Sequence, residues 1–127
     1  MTVADRGDRG SAIVDFVLVA PIVVAVALAV LQVILTMHVR TVLTSAAAEG
    51  ARAAALADAD PRAGERRARE IIEESMTATA VERIIVHSML SGGTQVMAVD
   101  IDAHLPLLGL LGPTAIHVHG HSLREHA

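Results

Sequence analysis

The sequence predicts an α+β chain: a long N-terminal helix that crosses a membrane and extends into a small head of one further helix and a three-stranded antiparallel sheet. Three observations predict it. From Phe16 to Met37 the only polar side chains are Gln32 and Thr36, and 22 residues of helix rise about 33 Å against a hydrocarbon core of about 30 Å. Thr36–Ala57 then continues without proline and rich in alanine, a composition of high helix propensity. After Ala80 the spacing of apolar residues changes from the helical period to two.

Element by element, the first helix should run continuously from the membrane into the head. Pro21 removes one backbone hydrogen bond inside the span, a loss that membrane helices accommodate through their neighbours. Gly50 is the weak point of the extension, at about 1 kcal/mol relative to alanine. Ala46, Gly50 and Ala54 recur at four-residue spacing, as do Ala47, Ala51 and Ala55, and small residues in such rows let another helix approach closely. Asp58-Ala59-Asp60-Pro61 ends this helix and starts the next, with Asp60 as N-cap and Pro61 at the first helical position. The second helix is expected from about Pro61 to Met76. Ala68, Ile71, Ile72 and Met76 form its apolar stripe, and Glu65/Arg69, Arg66/Glu70 and Arg69/Glu73 lie at i,i+4 on its wet faces.

Val81–Met89 reads as a strand, Ser91-Gly92-Gly93-Thr94 as a hairpin turn, and Gln95–Leu105 as its partner. The second strand carries Met97, Val99, Ile101, Ala103 and Leu105 on one face and Asp100, Asp102 and His104 on the other. Pro106–Pro113 is an apolar loop, and Thr114–Leu123 alternates again, with Ile116 and Val118 opposite His117, His119 and His121.

Composition narrows function. Seven histidines, ten arginines and 14 acids give a net charge of −4 with histidine neutral, and one Phe is the whole aromatic content. Dispersed arginines in an acidic chain without aromatic platforms argue against nucleic-acid binding. Without cysteine there is neither a disulfide nor a thiolate metal site. A mean hydropathy of +0.53 reflects the membrane segment and the alanines. A secretory signal peptide ending near Ala27-Leu28-Ala29 is a second reading of the N-terminus, but the apolar run continues past Ala29 without a polar break. Flanking arginines balance, Arg6 and Arg9 before the span against Arg40 and Arg52 after it, so orientation rests on the amino terminus, which favours the inside.

The charged segment Met1–Gly10, the Gly10-Ser11 junction, Asp15 and the adjoining Phe16 resemble the N-terminus of type IV pilin-like proteins. Ala46-Ala47-Ala48-Glu49-Gly50-Ala51-Arg52-Ala53-Ala54 is similar to the stretch that follows the membrane helix in TadE-like proteins, the pseudopilins of tight-adherence (Flp) pili. The resemblance covers about residues 9–56. It implies a leader, Met1–Gly10, removed by a prepilin peptidase; a membrane-spanning and extended helix over residues 11–57; and a head over 58–127. It further implies a bacterial membrane location with the N-terminus cytoplasmic and the head outside, and assembly with other pilins, pseudopilins and the pilus platform. Asp15 becomes the fifth residue of the mature chain, where the family usually carries Glu, and with Phe16 it takes the subunit-assembly role. No cofactor is implied.

Other chemistry has thinner support. His117, His119 and His121 share one strand face, and His104, Asp100 or Asp102 could complete a Zn²⁺, Ni²⁺ or Cu²⁺ set. Successive same-face side chains lie nearly 7 Å apart, so three on one strand converge poorly on one ion. A membrane-anchored metal-binding domain is therefore the alternative reading, with a solvated polar face as its bland counterpart. None of the serines sits in a nucleophile elbow, and Ser91-Gly92-Gly93-Thr94 is a turn rather than a phosphate loop. An enzyme is not expected.

Overall fold

The computed structural model describes residues 5–56, 60–75, 81–105 and 114–124. Helix α1 spans Asp5–Leu56, 52 residues with Pro21 inside it, and passes the Gly10-Ser11 junction without a break. Helix α2 is Pro61–Ser75, followed by strands β1 (Val81–Ser91), β2 (Thr94–Leu105) and β3 (Thr114–Leu123). The expected α+β chain is the observed one. Met76 and the Pro106–Pro113 loop lie outside the described residues.

The chain divides into two compact units, Met1–Leu35 and Thr36–Ala127. In the first, the described side chains of α1 are exposed almost throughout, including Ile13, Phe16, Leu18, Ile22 and Leu31. Apolar side chains with no protein to cover them are what a lipid-facing helix presents, and among the described residues α1 is the helix long and apolar enough to cross a membrane.

The second unit is the head. Its sheet has strand order β1-β2-β3, antiparallel throughout. Gly92 and Gly93 both take positive φ, 58° and 85°, the backbone of a two-residue turn whose twist matches the flanking strands. That turn pairs Ser91 with Thr94 and thereby sets the β1–β2 register as far as Arg83↔Asp102; a bulge then shifts it at Val81.

One face of the sheet is the core. Met97, Val99, Ile101, Ala103 and Leu105 of β2 are buried with Ile116 and Val118 of β3. All but Met97 pack against Val39, Leu43, Ala46, Ala47 and Ala51 of α1 as well as Ala68 and Ile72 of α2, and Met97 clusters with Ala54 and Ala55. The second helix therefore supplies two of the seven buried helical residues of the larger cluster, and the first helix five. Its residues 39, 43, 46, 47, 50, 51 and 54 follow a helical stripe, but alanine supplies most of that stripe, and alanine is abundant on every face of the segment.

Three glycines set the close approaches. A Cβ at Gly50 would stand 2.9 Å from the Gly64 carbonyl oxygen, and one at Gly64 would stand 2.7 Å from the Gly50 carbonyl oxygen. The backbones of α1 and α2 thus cross at this pair. At Gly120 a Cβ would fall 2.5 Å from the carbonyl carbon of Ala47, so β3 lies directly on the α1 backbone there.

The second helix begins as its sequence indicates. The Asp60 carboxylate accepts a hydrogen bond from the Arg62 amide at 3.0 Å, and the Asp60 carbonyl accepts one from the Ala63 amide. On its outer surface Arg69 pairs with Glu65 at 2.9 Å as expected, whereas Glu70 is taken by Arg67 at 2.8 Å rather than by Arg66. The Glu70 carboxylate, through its hydrogen bond and its charge, holds the Arg67 guanidinium above the usual arginine value.

Candidate functional site

Two places carry chemistry. The first is the N-terminal part of α1. Gly10, Ser11, Asp15 and Phe16 are all helical and exposed, and Phe16 is 72% accessible. Ser11 and Asp15 are four residues apart and so share a face of the helix, about 6 Å along its axis. Beyond Asp15 the same helix carries only apolar side chains until Gln32. A carboxylate there stands at the edge of the apolar segment, the one position where it can stay hydrated or meet a cation. A Cβ at Gly10 meets nothing within 4 Å, so packing places no demand for glycine at the junction.

Ala46, Gly50 and Ala54 lie elsewhere, in the head and fully buried. The helix against Gly50 and Ala54 is α2: Gly50 faces Gly64 and Ala68, and Ala54 stands where a Cβ on Gly64 would reach it at 2.8 Å. The adjacent row, Ala47, Ala51 and Ala55, is also buried, with Gly120 against Ala47.

The second place is the outer face of the sheet. His117, His119 and His121 are exposed while Ile116, Val118 and Gly120 are buried, so the three imidazoles share that face. Register puts His119 across from Asp100, and His117 across from Asp102. His117 Nδ1 meets Asp102 Oδ1 at 2.5 Å. From β1, His87 Nδ1 lies 3.5 Å from Asp100 Oδ2. Glu82, turned outward at the bulge, brings Oε1 to 3.0 Å from His104 Nδ1 without hydrogen-bond alignment. In each of these inter-strand contacts histidine faces a carboxylate, and the contact is an ion pair only when the imidazole is protonated.

Among the described residues no three of these groups come together as a metal-ligand set. Asp100 and Asp102 are instead engaged singly, each by one imidazole, and the spacing along β3 keeps His117, His119 and His121 apart. Sequence reading missed the contributions of Glu82 and His87. The signal for His87 was present in the two-residue turn, which fixes His87 opposite Ala98 and beside Asp100; the bulge that turns Glu82 outward had none.

No match was found among curated proteins, and none among solved structures. The family model described as TadE-like protein matches residues 10–52, from the Gly10-Ser11 junction to Arg52. The match covers the apolar run and the alanine-rich extension together, and over those residues the long N-terminal helix of this membrane-anchored chain is similar to that of TadE-like proteins.

Proposed function

We propose that this chain is a pseudopilin or minor pilin that takes part in assembling a tight-adherence (Flp) type IV pilus in a bacterial envelope, and that it catalyses no reaction. The family match over residues 10–52 carries this reading, because it falls on the acid-bearing membrane helix together with its alanine-rich extension. In it, a prepilin peptidase removes Met1–Gly10 and leaves Ser11 as the new N-terminus. That amine, on a neighbouring subunit, gives the Asp15 carboxylate a cation when the helices leave lipid and pack together, and the pairing offsets the cost of placing a charge in an apolar bundle. Phe16 packs beside it. The N-terminus is cytoplasmic and the head lies outside, where it meets other pilins, pseudopilins and the assembly platform. Open space around Gly10 supports a processing role for that glycine, which costs a helix about 1 kcal/mol relative to alanine and here gains nothing by packing.

N-terminal sequencing of the protein from its own host tests the reading. Ser11 as the first residue is the expected outcome; an intact Met1 or Thr2 in pilus-producing cells would overturn it.

A further inference from the structure

The outer face of the sheet collects five of the seven histidines of the chain: His87 from β1, His104 from β2, and His117, His119 and His121 from β3. Among the described residues the other charges on this face are Glu82 and Arg83 from β1 and Asp100 and Asp102 from β2. The head portion of α1 and α2 pack on the opposite side of the sheet. With histidine neutral the face carries a net charge of −2, and with all five imidazoles protonated it carries +3. Imidazole is the side chain that changes charge between pH 5 and 8, and protonation of any three of the five reverses the sign of the face. At the hairpin end of the same face Met89 and Leu123 stand exposed, 47% and 65% accessible, on either side of Val96.

We infer that this face is a pH-gated docking surface for an anionic lipid bilayer. Charge complementarity favours that occupant below about pH 6, where a net positive face meets anionic headgroups. The adjoining Met89 and Leu123 distinguish a bilayer from a soluble polyanion, since apolar side chains beside a cationic patch seat in the boundary between headgroups and acyl chains. Near neutral pH, Glu82, Asp100 and Asp102 dominate and the same surface is repelled. The inference stands independently of any role in pilus assembly.

The test holds the full chain in phosphatidylcholine nanodiscs and measures co-flotation with vesicles of phosphatidylglycerol or of phosphatidylcholine at pH 5.5 and 7.5, with empty nanodiscs as the control. Expected is a rise of about tenfold or more in capture by phosphatidylglycerol vesicles at pH 5.5, with none on phosphatidylcholine and a loss in high salt. Replacing His117, His119 and His121 by Gln should abolish the rise. Replacing His117, His119 and His121 together by Arg takes the face from −2 to +1 with the remaining histidines neutral and should give binding at both pH values, which shows that charge rather than folding is the determinant. Equal capture at the two pH values by the unaltered chain, or a rise that survives the triple Gln replacement, overturns the inference. So does competition by free inorganic phosphate at millimolar concentration, because a discrete anion site would then replace a surface.

Discussion

Gly120 is the residue whose side-chain position the fold leaves no room to fill. Its Cβ would overlap Ala47 and Ala48 backbone atoms at 2.5 to 2.7 Å, and backbone cannot swing aside as a side chain can. Gly120→Ala should destabilise the head by about 3 kcal/mol or more, at the upper end of overpacking costs, and lower the midpoint of thermal unfolding followed by circular dichroism. Gly64→Ala meets the Gly50 carbonyl and the Ala54 methyl and should cost about 1–3 kcal/mol. Gly10→Ala is the control, with open space around it and no loss of stability expected. Asp15 belongs to a different class, exposed and without a packing role. Under the proposed function, Asp15→Ala should insert into membranes at least as readily as the unaltered chain yet reduce piliation, whereas Asp15→Glu keeps the charge and should assemble. Normal piliation by the alanine variant would leave Asp15 as an interfacial marker.

Among the elements, α2 and the hairpin depend on local backbone chemistry that single substitutions can reach. Asp60 accepts the Arg62 amide at the start of α2, so Asp60→Ala should cost about 1 kcal/mol. Hydrogen exchange should then quicken in the first turn of α2 before it changes in the sheet. Gly93 sits at φ 85° with nothing near its Cβ position. Gly93→Ala is therefore strained by conformation alone, at about 1–2 kcal/mol, and the loss should show as lower hairpin protection without a cavity or clash. Helix α1 differs from both: its second half contributes Leu43 and a row of alanines to the core, so its head portion is held by tertiary packing and its N-terminal portion by lipid.

For the whole molecule, the boundary at Leu35/Thr36 has a direct consequence. A fragment of residues 36–127 retains Val39, Leu43, Ala46, Ala47 and Ala51 and should fold without the membrane segment. A fragment of residues 58–127 loses them and uncovers Val99 and Ile101, so it should fail to give a cooperative unfolding transition. Comparing the two by circular dichroism and urea titration checks where the head begins. A cooperative transition in the shorter fragment would mean that α2 alone suffices to cover the sheet.

Much of this protein is written in local sequence. Unbroken hydropathy from Phe16 determined the membrane helix, Asp60-Pro61 the start of α2, and Gly92-Gly93 the turn. Alternation in Gln95–Leu105 and Thr114–Leu123 separated the buried face of the sheet from its histidines. Each is a short-range effect: a fixed dihedral, a cap, or the period of a helix or strand. Tertiary structure decided what lies far apart in the chain. The alanines of α1 became part of the core because Gly120 and Gly64 admit its backbone at close range, and no run of alanines states which surface will meet it. Glu82 joined the histidine face because one bulge aims it there. A bulge of this kind is settled by packing across the sheet, where residues that are distant in sequence first come into contact.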